Sequence, residues 1–155
     1  MEIKSTLNVF NEGSVPSVAG SGGRGHILKR LAGATQPPTE RLMVNLAVFE
    51  PGAHEKLHWH LIEVFYYVIS GRAIMHDIEG RTHEMGPGTV VYAPPGIAGA
   101  HSWEVIETLR LLGIRATADT QKAIQFDVDP VTKASTMPIE RLLSRDATTF
   151  KKSMY

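Results

Sequence analysis

A chain of 155 residues, 43% hydrophobic and 21% charged, has the length for one domain with a buried core and is too apolar for a disordered segment. Its 16 basic and 16 acidic residues balance, and no basic run exceeds two residues, so neither nucleic acid nor a membrane is expected as a partner. The absence of cysteine rules out disulfides, thiolate metal ligands and a cysteine nucleophile.

A cysteine-free chain suits a reducing cytoplasm. Residues 1–10 hold no apolar core of the kind a signal peptide needs. The longest wholly apolar run, Val64–Ile69, has six residues and is too short to cross a bilayer. A soluble, cytoplasmic protein is the expectation.

The first forty residues are poorly periodic and rich in Gly, Ser and Pro, which predicts a loop or edge-strand arm. Within them Ala19–Gly25 is glycine-rich. No apolar strand runs into it and no Gly-Lys-Ser/Thr follows it, so it reads as a plain loop, not a phosphate cradle. Gln36-Pro37-Pro38-Thr39 then opens the folded body.

From Arg41 to about Arg115 short apolar stretches recur, each stopped by Gly or Pro. Arg41–Phe49 ends at Pro51-Gly52, Glu63–Ser70 at Gly71, and Arg72–Ile78 at Glu79-Gly80. Gly86-Pro87-Gly88 precedes Thr89–Ala93, and Pro94-Pro95-Gly96 separates it from His101–Ile106 and Thr108–Arg115. Val, Ile, Tyr, Phe and Thr dominate these stretches, as strands prefer. No long helical stripe interrupts them, so the fold class is all-β, a sandwich or barrel. Residues 116–155 read as an extension, with turn chemistry over Asp127–Lys133 and a short helix at Pro138–Leu143 with proline in its first turn. There is no repeat and no second domain.

Seven histidines punctuate the chain, and three sit where strand geometry makes them converge. His58 and His60 are two apart, so on one strand both rings point to the same face. Two neutral imidazoles presented together suit a divalent metal. His101 follows the Pro94-Pro95-Gly96 turn on another strand and supplies a third. His54 shares the parity of His58 but lies near the Gly52 turn, which places it at the rim of a pocket. His76 and His83 flank a hairpin and read as exposed, and no role is expected for His26 in the glycine-rich loop.

The run Gly52-Ala53-His54-Glu55-Lys56-Leu57-His58-Trp59-His60, continuing to Ser70-Gly71, resembles the first motif of the cupin superfamily. Gly86-Pro87-Gly88 through Pro94-Pro95-Gly96 to His101 resembles the second. The resemblance covers about residues 41–115 and implies a jelly-roll β-barrel with one divalent metal ion per chain. Fe(II) is favoured, with Zn, Ni or Mn as alternatives. It carries His58, His60 and His101 over as ligands.

Two departures bear on the chemistry. The motif places a glutamate ligand four residues after its second histidine, where this chain has Val64. On an unbroken strand Val64 shares the inward face and Glu63 points away; a bulge would bring Glu63 back. Four residues, not the usual two, separate Gly96 from His101, an excess a loop can absorb. Three neutral ligands would leave the ion its full +2 charge and open positions for a chelating anion.

The resemblance then implies a non-haem Fe(II) dioxygenase acting on a small diketone, hydroxyketone or phenolic anion. Its rivals are a Lewis-acid isomerase, cyclase or lyase, a non-catalytic ligand-binding module, and a purely structural barrel. Parity extends the pocket wall to Tyr66, Val68 and Trp103, with Val64 and His54 beside the ligands. Glu63, Glu104 and Tyr66 are the candidates for acid–base work. Trp59 and Phe65 point outward, and a large bare Trp predicts a homodimer.

Overall fold

The computed structural model describes residues 3–20, 24–33, 37–120, 122–137 and 139. Ten strands follow in chain order: β1 (Ser17–Ala19), β2 (His26–Ala32), β3 (Met43–Phe49), β4 (His54–His60), β5 (Val64–Asp77), β6 (Thr82–Met85), β7 (Val90–Ala93), β8 (His101–Arg115), β9 (Gln125–Val128) and β10 (Ser135–Thr136). Every strand pairing is antiparallel. The order runs β1-β2-β3-β8-β4-β9-β10, with β5 attached to β8 and carrying β6 and β7; the path does not close on itself.

Strand β8 is the spine. Its first residues pair with β4, His101 opposite His58, and its last residues pair with β3 from Leu109 to Arg115. Its other edge runs against β5 from end to end. The two longest strands correct the sequence reading, which stopped one at Gly71 and divided the other before Thr108. Gly71 is a bulge instead of an end: its φ is +89°, and a Cβ there would lie 2.0 Å from the Thr108 carbonyl oxygen. The register of β5 against β8 shifts between Val68 and Ala73, which bends the pair without ending it.

The arm and the extension contribute strands. His26–Ala32 pairs with β3, and Gln125–Val128 pairs with β4 beside the histidines. The helix expected at Pro138–Leu143 falls, Ile139 excepted, outside the described residues. Trp59 does point away from the interior, but the chain covers it itself. Its ring stacks on Phe126 at 4.4 Å and its Nε1 donates to Ser135.

Inward positions of β3, β5 and β8 build the core. Phe49, Val64, Val68, Met85, Leu109 and Leu111 are each at most 1% exposed and belong to one cluster. Burying each such side chain contributes about 1.5–3 kcal/mol. That cluster fixes the strands whose next inward positions carry the polar residues. No described helix is long and apolar enough to cross a membrane.

Candidate metal centre and its cavity

His58, His60 and His101 converge: one ring nitrogen from each lies within 4.8 Å of the others, and all three residues are buried. The main chain sets two of the rings. The Nδ1 of His58 is 2.6 Å from the Lys56 carbonyl oxygen, and that of His101 is 2.8 Å from the Gly99 carbonyl oxygen. A carbonyl only accepts, so each Nδ1 carries the proton and each Nε2 keeps its lone pair for a metal.

The spacing before His101 is taken up by a 3-10 turn, Ile97–Gly99, which delivers the Gly99 carbonyl to the ring. The Gly96 N–H donates to the His60 carbonyl at 2.9 Å, so the second motif is hydrogen-bonded to the first. A Cβ on Gly99 would lie 2.2 Å from the Pro94 carbonyl oxygen, so the turn has room for glycine alone.

Burial lowers the pKa of His101 to about 4; the hydrogen bond to Gly99 opposes this and the Arg115 charge reinforces it. The ring is therefore neutral at neutral pH, as a ligand must be. Convergent, buried imidazole nitrogens fit a divalent first-row ion. No Asp or Glu joins the group among the described residues.

The Tyr66 hydroxyl lies 3.3 Å from His101 Nε2 and 3.5 Å from His60 Nε2, beside the nitrogens that face the ion's place. Burial pushes its pKa up to about 12, Arg115 working against the rise and Glu55 adding to it. The phenol therefore keeps its proton at neutral pH.

A cavity of about 420 Å³ opens beside this group. His58, Tyr66 and Trp103 connect it to the centre, and Phe49, Leu111 and Met43 give it apolar walls. Its polar lining was not foreseen: His26, Glu55, Asn45, Gln125, Arg115 and Arg30.

Of the other sequence candidates, Trp103 lines the cavity, whereas Val64 and Val68 are packed into the core and do not. His54 is exposed: a register shift between Glu55 and His58 breaks the alternation along β4, and Glu55 takes the inward place. Glu63 stands on the outer face, where its carboxylate accepts from the Tyr92 hydroxyl at 2.7 Å. Glu104 is exposed as well, so neither acid reaches the centre. His26 is buried, stacked on Phe49 at 3.9 Å with its Nδ1 3.7 Å from Glu55 Oε1. Asn45 and Arg115 had a usable signal, a polar residue on the inward parity of an apolar strand. Glu55 and Gln125 had none.

The family model for the cupin domain matches residues 45–114, the span that carries both motifs. Among solved structures, the polyketide cyclase RemF from Streptomyces resistomycificus is similar with a TM-score of 0.63 at 22% identity, over 71% of this chain and 79% of that one. A sugar phosphate isomerase from Silicibacter pomeroyi gives 0.63 at 22% identity, over 85% of this chain and 94% of that one. KdgF from Halomonas sp. gives 0.61 at 21% identity, over 74% and 99%. A search of the curated proteins finds no match. With the antiparallel sheet, the two motifs and the three convergent histidines in place, residues 45–114 of the chain form a cupin domain.

Proposed function

We propose that this cupin is a metal-dependent enzyme performing a redox-neutral rearrangement (isomerisation, cyclisation or elimination) on a small, oxygen-rich anion. The observation that carries the reading is a protonated phenol, Tyr66, whose hydroxyl lies 3.3 Å and 3.5 Å from Nε2 of His101 and His60 at the wall of the cavity. A divalent ion on His58, His60 and His101 would supply Lewis-acid polarisation of a substrate oxygen. Tyr66 donates a hydrogen bond to the oxygen on which negative charge develops. Glu55, which lines the same cavity, would take a proton from the neighbouring carbon. Phe49, Trp103 and Leu111 keep bulk water from that exchange. Cyclisation and isomerisation, the activities named for two of the structural neighbours, need no external oxidant.

The test is proton exchange and turnover of small hydroxycarbonyl acids in deuterated buffer under argon. We expect activity to persist without oxygen and to fall by about 10²–10⁴-fold in Tyr66→Phe. Strict dependence on oxygen, with one O₂ consumed per turnover, would overturn this reading. It would favour the second one, an Fe(II) dioxygenase of a diketone, hydroxyketone or phenolic anion. That reading draws on the wholly neutral ligand set and the apolar wall.

A second copy of the chain is the proposed partner. Since Trp59 is covered internally, the surface for it is the outer face of β5 and β7, where Tyr67 pairs with Val90 and Phe65 with Tyr92. Tyr67, Ile69, Val90 and Tyr92 are exposed there. Sedimentation equilibrium is expected to give a dimer that Tyr92→Glu dissociates; a wild-type monomer would remove the proposal.

A further inference from the structure

The cavity lining around the Arg115 end of β8 differs in kind from the histidine group. Asn45 on β3 and Tyr66 on β5 both lie opposite Gly113 of β8, and Arg115 follows two positions on, with the same inward parity. Gly113 leaves the strip between them open: a Cβ there would reach the Tyr66 ring at 3.6 Å. Gln125 of β9 lines the same space, opposite His60 in register.

The side chains at this end have polar atoms that the protein does not satisfy. Asn45 and Gln125 are each 3% exposed, yet Asn45 Oδ1 and Gln125 Nε2 have no hydrogen-bond partner among the described residues. Arg115 Nε is likewise buried without one, as is Trp103 Nε1 beside the histidines. Leaving such a group buried and unpaired is costly, so several around one cavity mark a ligand site more than a packing accident. The inventory is three donors and one acceptor. Arg115 and Arg30 both line the cavity, with Glu55 in the same lining. A guanidinium with amide donors around it suits a carboxylate, and an amide oxygen at hand suits a hydroxyl next to that carboxylate.

We propose that Arg115, Gln125 and Asn45 form a carboxylate subsite, and that the natural ligand is a small hydroxylated organic acid held there by its acid group, with its other oxygens toward Tyr66 and the histidines. This names the substrate class for the function proposed above and rests on the cavity being the substrate site. It does not require that the metal be bound.

The test is calorimetry on zinc-loaded protein with glycerate, against propionate (no hydroxyl), glycerol (no acid group) and glycerol 3-phosphate. Glycerate is expected to bind at least about 10-fold more tightly than propionate or glycerol. Arg115→Met should weaken it by about 10–100-fold with zinc content unchanged, and Arg115→Lys should restore part of the loss. Gln125→Glu, nearly isosteric, guards against a folding failure at Arg115 and should also weaken glycerate, by placing a like charge beside it. Repeating the titration on His60→Ala separates the two hypotheses. Glycerate binding that survives there, still sensitive to Arg115, upholds the subsite even if the metal chemistry fails. Binding abolished by His60→Ala but indifferent to Arg115→Met would overturn the subsite, because the acid would then sit on the metal. Tighter, Arg115-dependent binding of glycerol 3-phosphate would overturn the carboxylate assignment in favour of a phosphate ester. No binding of glycerate to folded wild type would overturn it outright.

Discussion

The two ends of strand β8 both serve the cavity and are organised in opposite ways. At the His101 end the group holds no carboxylate among the described residues, and two of the rings are held by main-chain carbonyls two residues before them. At the Arg115 end the side chains are cationic or amide, and several of their polar atoms have no protein partner. The first arrangement is complete before anything binds, which is what a metal requires of rings that must not turn. The second is completed by what enters, which is how a pocket selects among small molecules. The difference separates holding the ion from choosing the substrate, and substitutions at each end should separate the two measurements.

The largest effect is expected from His60→Ala or His101→Ala. Removing one nitrogen from a three-nitrogen set should weaken zinc by well over about 100-fold, more than the loss of a partner that only orients a ligand. Competition with a chromogenic chelator would read this directly. Next is Tyr66→Phe, in which metal should remain near stoichiometric while turnover falls by about 10²–10⁴-fold. If zinc leaves with the hydroxyl, Tyr66 serves the metal and the division between the ends is misdrawn.

Gly99→Ala is the finer probe of the main-chain tether. The added Cβ must displace the Pro94 carbonyl and move the Gly99 carbonyl off His101. Zinc affinity is expected to fall by about 10–100-fold with the three histidines intact. Unchanged affinity would mean that the tether does not orient the ring.

A smaller effect concerns pH. In metal-free protein the His101 pKa lies near 4, below its ordinary 6.5, so the unfolded chain takes the proton first as the solution is acidified. The stability from keeping that ring neutral is full above about pH 6.5 and is lost as pH falls toward about 4, a difference of about 3 kcal/mol. Urea melts at pH 7 and pH 4.5 should show it, and His101→Gln should flatten the difference. The smallest expected change is Trp59→Ala, which removes the stacking on Phe126 for about 1 kcal/mol and leaves zinc affinity untouched.

Parity along strands made much of this readable in the sequence. His58 and His60 two apart, Tyr66 on the inward face of β5, and Trp103 two after His101 all follow from a side-chain period of two. The same rule sent Glu63 outward, and the structure has it hydrogen-bonded to Tyr92 on that face. Parity failed where a strand is irregular. One register shift in β4 exchanged His54 for Glu55, and nothing in His54-Glu55-Lys56 marks it. Gly71 was read as an end because a glycine that bends a strand and one that stops it look alike in sequence. Val64 and Val68 show the remaining limit: parity separates inside from outside but cannot separate core from cavity wall. Gln125 and His26 reach the cavity through long-range pairings, β9 with β4 and β2 with β3, which local pattern does not encode.

The central claim is that three histidines, without a carboxylate, hold one divalent ion in this cavity. It is tested most directly by elemental analysis of anaerobically purified wild type, His60→Ala and Glu63→Ala. The expected result is close to one divalent ion per chain in wild type, little or none in His60→Ala, and an undiminished content in Glu63→Ala. Loss of the ion in Glu63→Ala, or a folded wild type that takes up no ion when it is supplied, would contradict the account.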